Sequence, residues 1–249
     1  MPDLAVIMGA TGGLGTAIVD AFASRGDRVI AVARSRSEVS QLASKYPGSP
    51  STSEGMQGGG VTGDTADLMS RSEVDDLWER IDRVGIPRWV VNATGGYRAG
   101  KVVDTTPDDF TFMMDLNLGT AWWSSRAAAR RMQQVVPSPS GGGQGGCCIV
   151  NVSSRSALVA EPGAAAYAVA KAGVIKLTEV LAAELKASGV RVNVIVPAVI
   201  DTPANRQALP EKLMQKAVAP AEIAAVIAYL CSDAAVAITG VAIPVYGRF

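Results

Sequence analysis

Leu4-Ala5-Val6-Ile7-Met8-Gly9-Ala10-Thr11-Gly12-Gly13-Leu14-Gly15 is a short apolar run that breaks into a glycine-rich turn, and Thr16–Arg25 continues as a helix closed by Gly26. An uncharged strand followed at once by glycines and a helix is the opening βα unit of a parallel sheet, since a strand buried on both faces carries no polar alternation. Such a turn must reverse tightly and leave backbone bare, so that amide N–H groups and the positive helix end can hold a pyrophosphate. A Cβ at those places would collide or force a disallowed φ. Gly9, Thr11, Gly12, Gly13, Leu14 and Gly15 are therefore candidate dinucleotide contacts. The plain alternative is an ordinary βα turn that happens to hold glycines. The spacing is G-x-x-x-G-x-G rather than the commoner G-x-G-x-x-G.

Outward from that turn, apolar runs and helical segments alternate to the end of the chain. Strands are expected at Arg28–Ala33, near Val61, at Trp89–Ala93, Cys148–Val152, Val190–Val196 and Val241–Val245. Helices are expected at Glu38–Tyr46, Ser72–Val84, Tyr167–Ala187 and Ala221–Cys231. A further helix starts with Thr106 as N-cap and Pro107 at its first position, and could run to about Gln134. This order predicts an α/β fold, a Rossmann-type doubly wound parallel sheet of seven strands with helices on both faces. Residues 1–249 form a single domain in this reading, and the Gly-rich stretches 47–60 and 137–146 are surface insertions.

Composition narrows the chemistry. Lys+Arg and Asp+Glu are 23 each, so the formal net charge is zero. No nucleic-acid or membrane-surface partner is expected from such a balance. The apolar stretch Ala234–Tyr246 is too short to cross a bilayer, and no signal peptide is expected ahead of the first strand. Three cysteines, two of them adjacent, suit a reducing cytoplasm, and no zinc spacing or other metal site is seen. With His 0, every mechanism that needs an imidazole is excluded. Acid–base work then falls to Asp, Glu, Lys, Tyr or Cys.

Tyr167-Ala168-Val169-Ala170-Lys171 sets a phenol and an ammonium four residues apart, on one helix face. An unperturbed tyrosine titrates near ~10, and a neighbouring ammonium is expected to lower that value. Alone, such a pair is commonplace on solvated helices. Ser154, thirteen residues earlier at the end of an expected strand, adds a hydroxyl on the crevice side of the sheet.

The whole block, Asn151-Val152-Ser153-Ser154 … Glu161-Pro162-Gly163 … Tyr167 … Lys171-Ala172-Gly173, closely resembles the active-site block of the short-chain dehydrogenase/reductase family. The resemblance implies that Ser154 binds the substrate oxygen, Tyr167 exchanges the proton, and Lys171 also holds the nicotinamide ribose. Asn117, in Asp115-Leu116-Asn117-Leu118-Gly119, matches the family's fourth catalytic residue, where it supports a proton-relaying water. Asn92-Ala93-Thr94-Gly95 matches the stretch after the fourth strand, Asp64 the adenine contact after the third. Pro197, Ile200 and Thr202 match the segment that contacts the nicotinamide carboxamide, with Ala198 in place of a glycine. The resemblance covers essentially the whole chain.

The second expected strand ends Ala33-Arg34 without an acid, so Arg34 suits a 2′-phosphate. NADP(H) is preferred and NAD(H) is possible. The resemblance implies an oxidoreductase that passes hydride between nicotinamide and a carbonyl or alcohol of a small molecule, as 3-oxoacyl and general ketone reductases do. Two segments, Ala93–Tyr97 and Asp201–Arg206, resemble dihydropteridine reductase, but Ser154 and Arg34 depart from that group. A pterin reductase or a non-catalytic NADP(H)-binding sensor is the alternative. The region Thr202–Ala219 is expected to cover the substrate, and Arg98, Arg155, Arg206, Tyr97, Trp122 and Trp123 are possible pocket groups. A homodimer or homotetramer is implied by family habit, through the helices of 117–134 and 167–187.

Overall fold

In a computed structural model, residues 2–46, 58–134 and 146–248 are described; the expected surface insertions lie almost wholly outside them. Seven strands form one parallel sheet: β1 (Leu4–Met8), β2 (Arg28–Ala33), β3 (Gly60–Thr65), β4 (Trp89–Asn92), β5 (Cys148–Val152), β6 (Arg191–Pro197) and β7 (Ala242–Val245). Their spatial order is β3-β2-β1-β4-β5-β6-β7, and every neighbouring pair runs parallel. The direction of growth reverses between β1 and β4, and open α/β sheets bind ligands at that switch point, beyond the carboxyl ends of the strands.

Helices α1 (Gly15–Ser24), α2 (Arg36–Ala43), α3 (Arg71–Asp82), α4 (Pro107–Met114), α5 (Thr120–Met132) and α6 (Ala165–Glu184) follow in order. Two short helices, α7 (Pro203–Ala208) and α8 (Glu211–Met214), occupy the expected covering region, and α9 (Pro220–Leu230) returns the chain to β7. Strands β1, β4, β5 and β6 are buried along their whole length, so their near-continuous apolar sequences have no solvent face to mark. One core, with Val6, Trp78, Ile149 and Val194, lies on one face of the sheet; the other, with Ile7, Phe22, Val150 and Ile227, lies on the opposite face.

The expected long helix from Thr106 is interrupted. Thr106 does cap it, accepting from Asp109 N (3.1 Å), with Pro107 at its start. Between α4 and α5, however, Asp115–Gly119 forms a π-helical turn. A single widened turn inside a helix re-aims one side chain, and here that side chain is Asn117.

Candidate active site

The glycine turn sits where β1, β4 and the segment after β6 meet. Gly9 has φ +79°, and a Cβ on it would lie 2.9 Å from Thr94 N. A Cβ on Gly13 would lie 2.6 Å from Thr202 Cγ2, and one on Gly15 2.1 Å from the Gly9 carbonyl oxygen. Only bare backbone fits these three places. The start of α1 has no side-chain cap and no acid in its first turn, so its positive end is left available. The Thr94 hydroxyl, at the same edge, is buried with no hydrogen-bond partner. A crevice of about 200 Å³ runs from there, lined by Gly9, Thr11, Gly12, Arg34, Asp67, Leu68, Ala93, Thr94, Gly95, Leu116 and Thr120 among others. Bare glycine backbone, an uncapped helix start and an orphaned hydroxyl fit a dinucleotide.

Several expected contacts are placed differently. Asp64 lies within β3 rather than beyond it, and its carboxylate takes a bidentate pair of bonds from Arg80 (3.0–3.2 Å). Because β3 runs on to Thr65, the residues that reach the crevice are Ala66, Asp67, Leu68 and Met69. Asn92 is likewise turned inward. Its Nδ2 donates to Asn151 Oδ1 (2.8 Å) and Ser125 Oγ (2.9 Å), cross-linking β4, β5 and α5 in the core. Leu14 packs its side chain into the core, which leaves only its backbone for a ligand.

Arg34 is exposed and makes no ion pair among the described residues. Glu38, at the start of α2, accepts from Thr11 Oγ1 (3.1 Å) and puts an acid on the glycine turn that sequence alone did not reveal. Pro197 ends β6. Ile200 bridges to Val218, and Thr202 both caps α7 and presses its methyl group on Gly13.

The four residues of the active-site block converge. Lys171 is buried and its Nζ donates to the Val152 carbonyl (3.0 Å), while Ser153 Oγ donates to the Lys171 carbonyl (2.7 Å). The strand β5 therefore grips α6 from both ends of one residue. Ser154 accepts from Ser156 N (3.3 Å), and its hydroxyl is near enough to the Tyr167 phenol to favour the ionised form. Asn117, freed by the π turn, donates to the carbonyls of Gly96 (3.0 Å) and Met113 (3.1 Å), and accepts from Gly96 N (3.2 Å). A Cβ on Gly95 would lie 2.8 Å from Asn117 Oδ1 and 2.9 Å from Lys171 Nζ, so glycine there lets the two approach.

Electrostatics depart from the sequence reading in one respect. Burial pushes the Tyr167 phenol above its ordinary value, with the Ser154 hydroxyl opposing and Glu161 adding to the rise. Lys171 does not reverse it, because its Nζ is bonded to Val152 and lies 5.9 Å from the phenol ring centroid. Burial in turn lowers Lys171 to about 8. The phenol thus keeps its proton through neutral pH, the form a proton donor needs.

The arginines offered as substrate contacts are all engaged: Arg98 with Asp109, Arg155 with Glu161 (2.6 Å) and Arg206 with Asp201 (2.7 Å). Tyr97 stands edge-on to Tyr167, ring centroids 5.2 Å apart at 83°.

The family description for short chain dehydrogenases matches residues 3–213. The chain belongs to the short-chain dehydrogenase family. Members are oxidoreductases that act on carbonyl and alcohol groups with a nicotinamide cofactor, and so is this enzyme. It is 30% identical over 252 residues to a 3-oxoacyl-[acyl-carrier-protein] reductase of Thermotoga maritima, covering 97% of this chain and 95% of that one. A tropinone reductase homolog of Arabidopsis thaliana is 29% identical, with 97% and 89% covered. Among solved structures, a 3-oxoacyl-[acyl-carrier protein] reductase with bound NAD from Brucella melitensis superposes with a TM-score of 0.82 at 28% identity, covering 99% of this chain and 90% of that one. An oxidoreductase of the same family from Burkholderia thailandensis gives the same score and identity, with 99% and 92% covered.

Proposed function

We propose that this single-domain enzyme is an NADP(H)-dependent carbonyl reductase working on 3-oxoacyl-type or simple ketones in the cytoplasm. The observation that carries the reading is the convergence of Ser154, Tyr167, Lys171 and Asn117 on the crevice edge, with the phenol held protonated. Gly9, Gly12, Gly13, Gly15 and the Leu14 backbone would hold the pyrophosphate, with Thr11, Ala93, Thr94 and Gly95 beside it, and Arg34 a 2′-phosphate. Asp67 takes the adenine-side place first given to Asp64. Pro197, Ile200 and Thr202 would face the carboxamide. When bound, the reduced nicotinamide supplies the hydride.

Ser154 then hydrogen-bonds the ketone oxygen, and Tyr167 gives it the phenolic proton as negative charge builds there. Lys171, as the ammonium, would return a proton to Tyr167 and recover one from solvent water on the Asn117 side. A lysine near 8 exchanges protons readily at neutral pH, which suits that relay.

The test is a panel of 3-oxoesters, simple ketones and quinonoid dihydropterin, each with NADPH and with NADH. Turnover of ketones with NADPH preferred is expected. Tight NADPH binding without turnover of any compound would instead make the protein a sensor. Dihydropterin turnover alone would make it a pterin reductase.

Assembly through α5 and α6 fits the same reading. Between them lies an apolar groove of about 510 Å³ with Leu118, Trp122, Leu177 and Val180 in its wall. A homodimer or homotetramer is expected by light scattering, and a monomer at micromolar concentration would refute it. Among the described residues no helix is long and apolar enough to cross a membrane.

A further inference from the structure

Among the described residues Tyr97 is the aromatic side chain that stands edge-on against the Tyr167 phenol, and its mounting is unusually firm for an exposed residue. The residue is 62% exposed, yet its hydroxyl donates to the Gly163 carbonyl (3.3 Å). The backbone just before it is clamped, since Asn117 bonds both the N–H and the carbonyl of Gly96. Just after it, Gly100 N donates to Gly163 (2.8 Å) and Ala165 N to Gly100 (3.2 Å), lacing this segment to the start of α6. Both ends of the side chain are therefore fixed to the elements that carry Asn117 and Tyr167. A ring so held loses little entropy when a ligand packs on it.

We infer that Tyr97 selects the substrate: its exposed ring receives a flat, conjugated group attached to the ketone carbon, so that aryl ketones are favoured over saturated ketones of the same size. The reason is geometric. A carbonyl oxygen within reach of Ser154 and Tyr167 puts one of its substituents beside the ring that adjoins Tyr167. An aromatic substituent there gains stacked or edge-to-face contact that a saturated ring of equal bulk cannot make. The hydroxyl is already committed to Gly163, so the ring itself, not a polar handle, is what the crevice offers.

This rests on the reductase reading, and the experiment separates the two. Acetophenone and cyclohexyl methyl ketone present the same carbonyl with a flat or a puckered ring. With wild type, kcat/KM should favour acetophenone. Tyr97→Leu should cut the acetophenone-to-cyclohexyl ratio by roughly three- to tenfold, and Tyr97→Phe should keep it. Equal losses on both ketones in Tyr97→Leu, or an unchanged ratio, would overturn the inference and leave the reductase reading standing. Should wild type reduce neither ketone, the reductase reading stands or falls on the 3-oxoesters of the panel above. Saturation-transfer NMR of the two ketones with the NADP⁺ complex then judges Tyr97 separately. Stronger transfer to the acetophenone ring protons, lost in Tyr97→Leu but not in Tyr97→Phe, supports it; equal transfer in all three refutes it.

Discussion

The two ends of the sheet differ in how they hold charge. At the amino end of the strands, Arg25 and Arg88 are paired with carboxylates and covered. Arg191, buried at the start of β6, instead bonds the Ser232 and Ile238 carbonyls and leaves its Nε without a partner. Arg25 bonds Asp27 (2.6 Å) and two carbonyls of the α9 end, and Arg88 bonds Asp3 (2.5 Å) and Asp233 while lying 4.3 Å over the Trp89 ring. At the carboxyl end, Lys171 has a backbone carbonyl and no carboxylate, Arg34 no ion pair among the described residues, and Thr94 Oγ1 no partner. Folding alone would favour satisfying both ends equally, since an unpaired buried polar group costs about 1–3 kcal/mol. Trp89 Nε1 and Arg191 Nε at the amino end are buried and unpartnered too, but at the carboxyl end the open groups border a crevice where a ligand can supply the missing partners.

Removing Tyr167 tests the contrast most severely. Tyr167→Phe keeps the packing but deletes the proton donor, and kcat/KM for ketone reduction should fall about 1000-fold. Activity within tenfold of wild type would remove Tyr167 from the chemistry.

Lys171→Met comes next and should separate function from stability. Activity is expected to fall about 100-fold, while the folded protein is no less stable near neutral pH, because a buried ammonium is exchanged for an apolar side chain of similar length. The sign with pH follows from the lowered value. Between about 8 and 10.5 the unfolded lysine holds a proton that the folded one has released, so wild-type stability rises with pH across that window. The penalty, on the order of 3 kcal/mol, is present in full below about 8. Urea unfolding of the two proteins over that range should show the stability advantage of Lys171→Met shrinking as pH rises. An advantage that grows with pH would mean that Lys171 is not held neutral by burial.

A smaller effect is expected at Arg34. Arg34→Ala should weaken NADPH binding about tenfold and leave NADH nearly unchanged, as titration calorimetry would show. Equal losses for both cofactors would mean that Arg34 serves the adenine or the fold, with Glu38 on Thr11 deciding the preference instead.

At the opposite end of the sheet, Arg88→Met should leave kcat/KM within twofold while lowering unfolding free energy by about 1–2 kcal/mol. A matching loss of activity would show that the two ends are coupled and the contrast is misplaced.

Much of this was legible in the chain itself. Apolar strands spaced by amphipathic helices dictate a parallel sheet covered on both faces, and Thr106-Pro107 announces a helix start whatever surrounds it. The glycine turn and the Tyr167–Lys171 spacing depend on local geometry alone, so sequence suffices for them. Side-chain direction across elements is another matter. Asp64 falls to Arg80 and Asn92 to Asn151 because partners far away in sequence arrive on neighbouring elements, and no local pattern records that arrival. The π turn that aims Asn117 and the rise of the Tyr167 phenol are also tertiary outcomes. One arises where α4 and α5 meet the loop after β4, the other from burial, which exists only once the sheet and α6 have closed around the ring. Periodicity and turn chemistry set the frame; desolvation and long-range pairing decided which of its polar groups remain open to a substrate.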